Sequence, residues 1–208
     1  MSQPNDHPAA ASREQLWAEC EVRRLRRSGP GGQHRNKVET AISLHHLPTG
    51  VRAEASERRS QAQNRSEALF RLRVNLALEV RRPCGPDYTP SSLWLSRCGG
   101  GLLKVSDSHD DFPALLAEAL DVLAGCNADP KLSAANLGCT PSQLIRLLKL
   151  DPRALALVIL LPKEERETML DMWHLGHDLA RGVGYEHGDL DDDVRKEVGG
   201  TAYVLAES

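Results

Sequence analysis

Alternation of apolar and polar side chains marks two strands early in the chain. Val38 to Leu47 alternates, with Ala41 or Ile42 setting the two faces, and Val51 to Ala55 repeats the pattern after the turn Pro48-Thr49-Gly50. The pair predicts a β-hairpin, and Glu21 to Arg27 is a further candidate strand with poorer alternation. Ser12 to Cys20 reads as a short helix with Glu14 in its first turn. The spacing then changes to three and four residues, and Leu69, Leu72, Leu76 and Val80 share one helical stripe. Ser60-Gln61-Ala62-Gln63 opens that helix as a capping box, and Pro83 stops it after about Arg82. A long helix laid on a small sheet is an α+β unit.

Beyond Pro83 the pattern is helical. Pro83 to Pro90 reads as a linker by composition, and Leu102 to Val105, after three glycines, as a short strand. Phe112, Leu115, Leu116, Leu120 and Leu123 then form a stripe. Helix starts follow at Asp129-Pro130, Thr140-Pro141 and Asp151-Pro152, eleven residues apart, each an N-cap followed by proline at the first helical position. Gly138 suits the helix end before the second start, and Thr140-Pro141-Ser142-Gln143 is a second capping box. Two short helices around a tight glycine turn look like a helix-turn-helix. Ser142, Gln143, Arg146 and Lys149 are its candidate nucleic-acid contacts. The alternative is a plain helical bundle with Leu137, Leu144, Leu147 and Leu148 in its core. Lys163 to Arg181 reads as one more helix, carrying His174 and His177.

Composition narrows the class. In 208 residues, 40% hydrophobic and 26% charged, an ordinary soluble domain or two is expected. The longest apolar run, Ala154 to Leu161, is too short to span a bilayer. The start of the chain has no apolar signal core, and the five cysteines show no CxxC spacing, so a cytoplasmic location is expected and a cysteine zinc site is not. Aromatics at 4% argue against base stacking as the main binding mode. The net charge of -3 hides a split: residues 1–100 hold 16 Lys+Arg against 10 Asp+Glu, and residues 101–208 hold 10 against 19. Clustered arginine in the first half suits phosphate, because its planar fork pairs with phosphate oxygens. The acidic half is repelled from a polyanion.

Between the first two strands lies SGPGGQHRN, Ser28 to Asn36, which its glycines and proline exclude from helix or central strand. Two consecutive glycines let Gly31-Gly32-Gln33 approach another chain closely and turn a backbone N–H outward. Glutamine adds an uncharged donor and acceptor, able to orient water but too weak to be a general base. Arg26, Arg27, His34, Arg35, Asn36 and Lys37 flank the loop and suit RNA phosphates. A glycine-rich loop that is only a turn remains the alternative reading of these residues taken alone.

SGPGGQHRNKVET, HLPTG and ERRSQAQNR together, in this order and spacing, resemble the catalytic domain of class I peptide chain release factors over about Ser12 to Arg82. The resemblance implies that Gly31, Gly32 and Gln33 enter the peptidyl-transferase centre of the large ribosomal subunit and promote hydrolysis of peptidyl-tRNA. Separately, no cofactor or metal is expected, since neither the cysteines nor the histidines have a ligand-like spacing. The resemblance also implies a transition-state role for the Gln33 backbone N–H, water admission by its side chain, and methylation of that glutamine. Ser28, Gly29, Asn36, Lys37, Ser60, Gln61, Asn64 and Arg65 also fall at motif positions, and Pro30, Arg58 and Arg59 join the expected RNA contacts. Arg35 departs from the family pattern, which places an apolar residue there.

Only thirty residues precede Gly31, too few for a codon-recognition domain, so the expectation is a short ribosome-rescue type acting without a codon on stalled ribosomes or large subunits. The end of the chain carries Asp189, Asp191, Asp192 and Asp193 instead of a basic tail, so stall sensing is assigned to another element or a protein partner. The expected organisation is a disordered leader over 1–12 and the hydrolase domain over 13–82. A linker with a short strand (83–109), a helix-turn-helix-like domain (110–182) and an acidic tail (183–208) follow. The competing function is non-catalytic: a binder of ribosomal RNA, or a helix-turn-helix regulator of DNA.

Overall fold

The computed structural model describes residues 7–25, 40–82, 84 and 88–159. The chain divides into two compact units, residues 1–155 and 156–208, and only 156–159 of the second are described. The helix expected over 163–181, with His174 and His177, therefore lies outside the described residues.

The first unit is α+β. Strands β1 (Cys20–Leu25), β2 (Ala41–His46) and β3 (Arg52–Ala55) form an antiparallel sheet in the order β1-β2-β3. Helix α1 (Arg13–Ala18) precedes them, opened by a capping box in which Ser12 Oγ accepts from the Gln15 N–H and Gln15 Oε1 from the Ser12 N–H. Ile42, Leu44, Ala53 and Ala55 turn inward, and helix α2 (Gln61–Glu79) covers them with Ala68, Leu69, Leu72 and Leu76. The small alanines of β3 let the helix come close. Fully burying side chains such as Leu44, Leu72 and Leu76 contributes about 2 kcal/mol each. β1 and β3 are the edge strands, and each residue of β1 is at least partly exposed.

α2 ends at Glu79, three residues before the expected Arg82. The partner at this end lies far away in sequence. Asp121 Oδ1 accepts from the Arg81 guanidinium at 2.8 Å and from the Arg82 N–H at 2.9 Å, holding the chain in the extended geometry it takes from Val80 on.

Residues 7–11, expected within a disordered leader, are folded. Pro8–Ala10 make one 3-10 turn with Ala9 fully buried, and the Arg73 guanidinium donates to Ala9 O (3.0 Å) and Asp110 O (2.9 Å). His7 accepts from the Ala9 N–H through Nδ1, and its Nε2 lies 3.1 Å from Val80 O. One small buried side chain and a set of main-chain bonds leave no hydrophobic pattern to read.

Burial pushes the His7 imidazole down to about 3, aided by the charge of Arg81 and opposed by the Val80 carbonyl. The folded chain thus binds fewer protons than the unfolded chain between about 3 and 6.5, and His7 costs stability as the pH falls through that window. His7→Asn removes this proton uptake. Its stability deficit against the unsubstituted protein is expected to shrink as the pH falls from about 6.5 towards 3, measured by urea unfolding at stepped pH.

The rest of the unit is mainly helical: α3 (Ser92–Arg97), a hairpin of two-residue strands β4 (Cys98–Gly99) and β5 (Leu102–Leu103), α4 (Phe112–Gly125), α5 (Pro130–Asn136), α6 (Pro141–Leu148) and the first half of α7 (Pro152–Ile159), whose residues 156–159 fall in the second unit. The three proline starts fall where the caps predict them. Asp129 accepts from the Lys131 and Leu132 N–H groups, Thr140 from Gln143 N–H, and Asp151 from Arg153 N–H. Gly138 takes the left-handed conformation (φ +64) that ends α5. α4 is the central element, with every residue from Phe112 to Ala124 buried, and it packs on α2. Among the described residues no helix is long and apolar enough to cross a membrane.

α3 was expected to be linker. It forms because Ser91 caps it and Trp94 is fully buried, the indole N–H donating to Leu137 O at 2.8 Å. The Glu118 carboxylate accepts from Ser91 Oγ, the Ser91 N–H and the Tyr88 hydroxyl, fixing the cap to α4, while burial raises its pKa.

Gly125 ends α4 against the main chain of Cys84, whose carbonyl oxygen would lie 1.8 Å from an added Cβ. Gly125→Ala is expected to cost about 1–3 kcal/mol in urea unfolding, whereas Gly99→Ala, with nothing within 4 Å, stays within about 0.5 kcal/mol.

Candidate functional site

The site is built at one end of the sheet. β1 and β2 pair from Cys20 with His46 to Leu25 with Ala41, so residues 26–40 connect the two strands from the Leu25–Ala41 end. Gly31, Gly32 and Gln33, with Arg26, Arg27, Ser28, Gly29, Pro30, His34, Arg35, Asn36 and Lys37, fall within 26–39, outside the described residues. Arg58, Arg59, Arg65 and the residues on which the connection stands are described.

Asn64 is the best-connected of them. It occupies the first turn of α2, four residues before Ala68, and is fully buried. Its Nδ2 donates to Thr40 O at 2.7 Å and to Arg58 O at 2.8 Å, and its Oδ1 accepts from the Arg58 N–H at 2.9 Å. Thr40 is the residue immediately after 26–39. The carboxamide thus uses both donor protons and its acceptor, as a buried amide must.

Arg58 and Arg59 are exposed in the turn ahead of α2. Arg65, one residue after Asn64, places its guanidinium 4.0 Å from the centroid of the Trp17 ring, a cation–π contact that braces α2 against α1. Arg65 remains exposed beside this contact. Arg24 is exposed on the same edge strand, and Arg23 is paired with Glu21 at 3.0 Å.

His45 and His46 fall on opposite faces of β2, as alternation requires. His46 is buried, with Nδ1 2.7 Å from Thr49 Oγ1 and Nε2 3.0 Å from Glu19 Oε2, holding the turn and the start of β1. Half-exposed His45 lies 3.7 Å from Glu21.

The other candidate face is α6. Ser142, Arg146 and Lys149 are exposed, while Leu137, Leu144, Leu147 and Leu148 are buried. Gln143 is half-buried, and its Oε1 faces the Leu103 N–H at 3.4 Å, tying α6 to β5. The side chain expected to close the capping box is used for packing the module together.

Trp17 carries no signal of its own in the sequence, and neither Thr40, the last residue of SGPGGQHRNKVET, nor Asn64 is given a structural part by its motif. One signal was present for Asn64: it stands on the buried stripe of Ala68, Leu72 and Leu76, where a polar side chain needs partners.

A small antiparallel sheet carrying a glycine-rich connection, with one long helix across its inner face, defines the class of domain. Residues 16–83 match the family model of the RF-1 domain. Peptide chain release factor 1 of Xylella fastidiosa (strain 9a5c) is 49% identical over 59 residues, which is 28% of this chain and 16% of that protein. Residues 16–83 are thus similar to the RF-1 domain of class I peptide chain release factors. The matched segment runs from α1 to just past α2 and leaves the helical module from α3 onward outside it.

Proposed function

We propose that this protein hydrolyses the ester of peptidyl-tRNA in the peptidyl-transferase centre of the large subunit, releasing nascent chains from stalled complexes without reading a codon. The observation that carries this reading is Gly31-Gly32-Gln33 on the β1–β2 connection of an RF-1 domain. Water attacks the ester carbonyl carbon, the bond to the tRNA 3′ oxygen breaks, and a free peptide carboxylate and a 3′-hydroxyl result. The Gln33 N–H donates to the charge that develops in the transition state, where such a donor is worth about 3–4 kcal/mol. The Gln33 amide orients the water, and no cofactor or metal takes part. Arg26, Arg27, Arg35, Lys37, Arg58 and Arg59 hold phosphates, an interaction that weakens with salt.

The segment ahead of β1 is part of the folded unit. Residues 7–12 fold back on α2 and α4, fastened by Arg73 and His7. The helical module from α3 onward, including exposed Arg146 and Lys149, is the surface for a protein partner, and the cytoplasm is where the reaction takes place.

Ribosomes holding a labelled peptidyl-tRNA, with a stop codon, a sense codon or no codon in the decoding site, test the reading. Comparable release rates from all three are expected. Release confined to stop codons would overturn codon independence, and comparing intact ribosomes with split large subunits identifies the complex used.

A further inference from the structure

We propose that Asn64 is a positioning residue for peptide release, joining through its buried carboxamide the two chain segments that carry the active loop and its phosphate contacts. The inference deepens the release reading above and rests on it.

The inner face of α2 is apolar along Ala68, Leu72 and Leu76, and Asn64 continues that line at the sheet end. An apolar residue would pack there without any need for partners, and a polar one is costly unless fully hydrogen-bonded. Asn64 meets that demand with three bonds, and all three run to main chain. Two engage both polar groups of Arg58, as a neighbouring strand would, and so fix the direction of the exposed turn of Arg58 and Arg59. The third holds Thr40, one residue ahead of Ala41, whose partner across the strands is Leu25. Strand pairing therefore fixes the Leu25 end of the connection, and Asn64 fixes the Thr40 end. With the carboxamide removed, the two segments lose their shared register while the sheet and the core of α2 keep their contacts. Chemistry that depends on a donor aimed at a developing charge is sensitive to such a shift, since misplacement by about 1 Å costs up to about 100-fold in rate.

Asn64→Asp keeps the size and the acceptor for the Arg58 N–H but removes the donors to Thr40 O and Arg58 O. Asn75 supplies the control: it lies on the same helix, its Nδ2 donates to Arg52 O at 2.8 Å, and it stands three turns from the loop end. Single-turnover release of a labelled nascent peptide would be followed on ribosomes stalled on mRNA without a stop codon, over a range of protein concentration. Asn64→Asp is expected to lower the rate constant at saturation about 10- to 100-fold, a larger effect than any rise in the half-saturating concentration from the displaced Arg58–Arg59 turn. Asn75→Ala is expected to leave both values unchanged. If Asn64→Asp fails to fold by circular dichroism, Asn64→Ser, which loses the reach to Thr40 without burying a charge, carries the same expectation. A rate at saturation equal to that of the unsubstituted protein, or an equal loss in Asn75→Ala, would overturn the inference alone. No release by the unsubstituted chain would overturn the release reading and this inference with it.

Discussion

Gln33→Pro is expected to lower peptide release about 100- to 1000-fold, and Gln33→Ala by less. Proline removes the one group assigned to the transition state, the backbone N–H, while alanine keeps it and removes only the side-chain amide. An oxyanion-type donor acts where charge develops and is held in place beforehand, so its loss appears in the rate at saturation more than in binding. Gly32→Ala adds a Cβ where the chain must approach the substrate closely and is expected to fall with the proline variant. Equal losses in Gln33→Pro and Gln33→Ala would move the chemistry from the main chain to the side chain. All four proteins would be compared by single-turnover release at saturating concentration.

Asp121→Ala is expected to produce the largest loss of stability, about 3–5 kcal/mol. Asp121 and Arg81 are both nearly inaccessible and lie 2.8 Å apart, and the same carboxylate also accepts the Arg82 N–H. Arg81 also donates to Ala77 O, so the guanidinium is held in place after its counter-ion is gone. Burial outweighs the attraction of Arg81 and pushes the Asp121 carboxyl up to about 6, and burial lowers Arg81 to about 10, so both are charged at neutral pH. Breaking the pair strands a positive charge inside the protein. Arg81→Met combined with Asp121→Leu removes both charges and is expected to recover most of the loss, because apolar replacements of buried pairs are often close to neutral. Thermal unfolding would read the single variant as a fall of roughly 10 °C. A double variant as unstable as Asp121→Ala would contradict the ion-pair explanation. The consequence is architectural, since this contact ties the end of α2, in the RF-1 domain, to α4 of the helical module.

Local rules made the fold legible wherever a local rule was in force. Alternation across Pro48-Thr49-Gly50 gave the hairpin, and Ser12, Ser60, Asp129, Thr140 and Asp151 marked helix starts through their own side chains. Features set by distant partners were not legible. The chain after α2 is held by Asp121, some forty residues on, and the folded segment around Ala9 depends on Arg73 and Val80. α3 contributes one buried side chain, Trp94, and runs into a glycine-rich hairpin, so it carries no periodic signature. α4 is buried all round, so a one-sided stripe understated it. For the site, three separated motifs pointed to the domain, because each is a short contiguous string. The Asn64 clamp was hidden because its targets are main-chain groups of Thr40 and Arg58, which leave no mark in the sequence.

The most direct measurement is the time course of a labelled nascent peptide leaving ribosomes that have stalled with no codon in the decoding site. The unsubstituted protein should release the peptide and leave tRNA with a free 3′-hydroxyl, and Gly32→Ala at the same concentration should release almost none. Release that is equal in the two proteins, or absent from both, would contradict catalysis by Gly31-Gly32-Gln33.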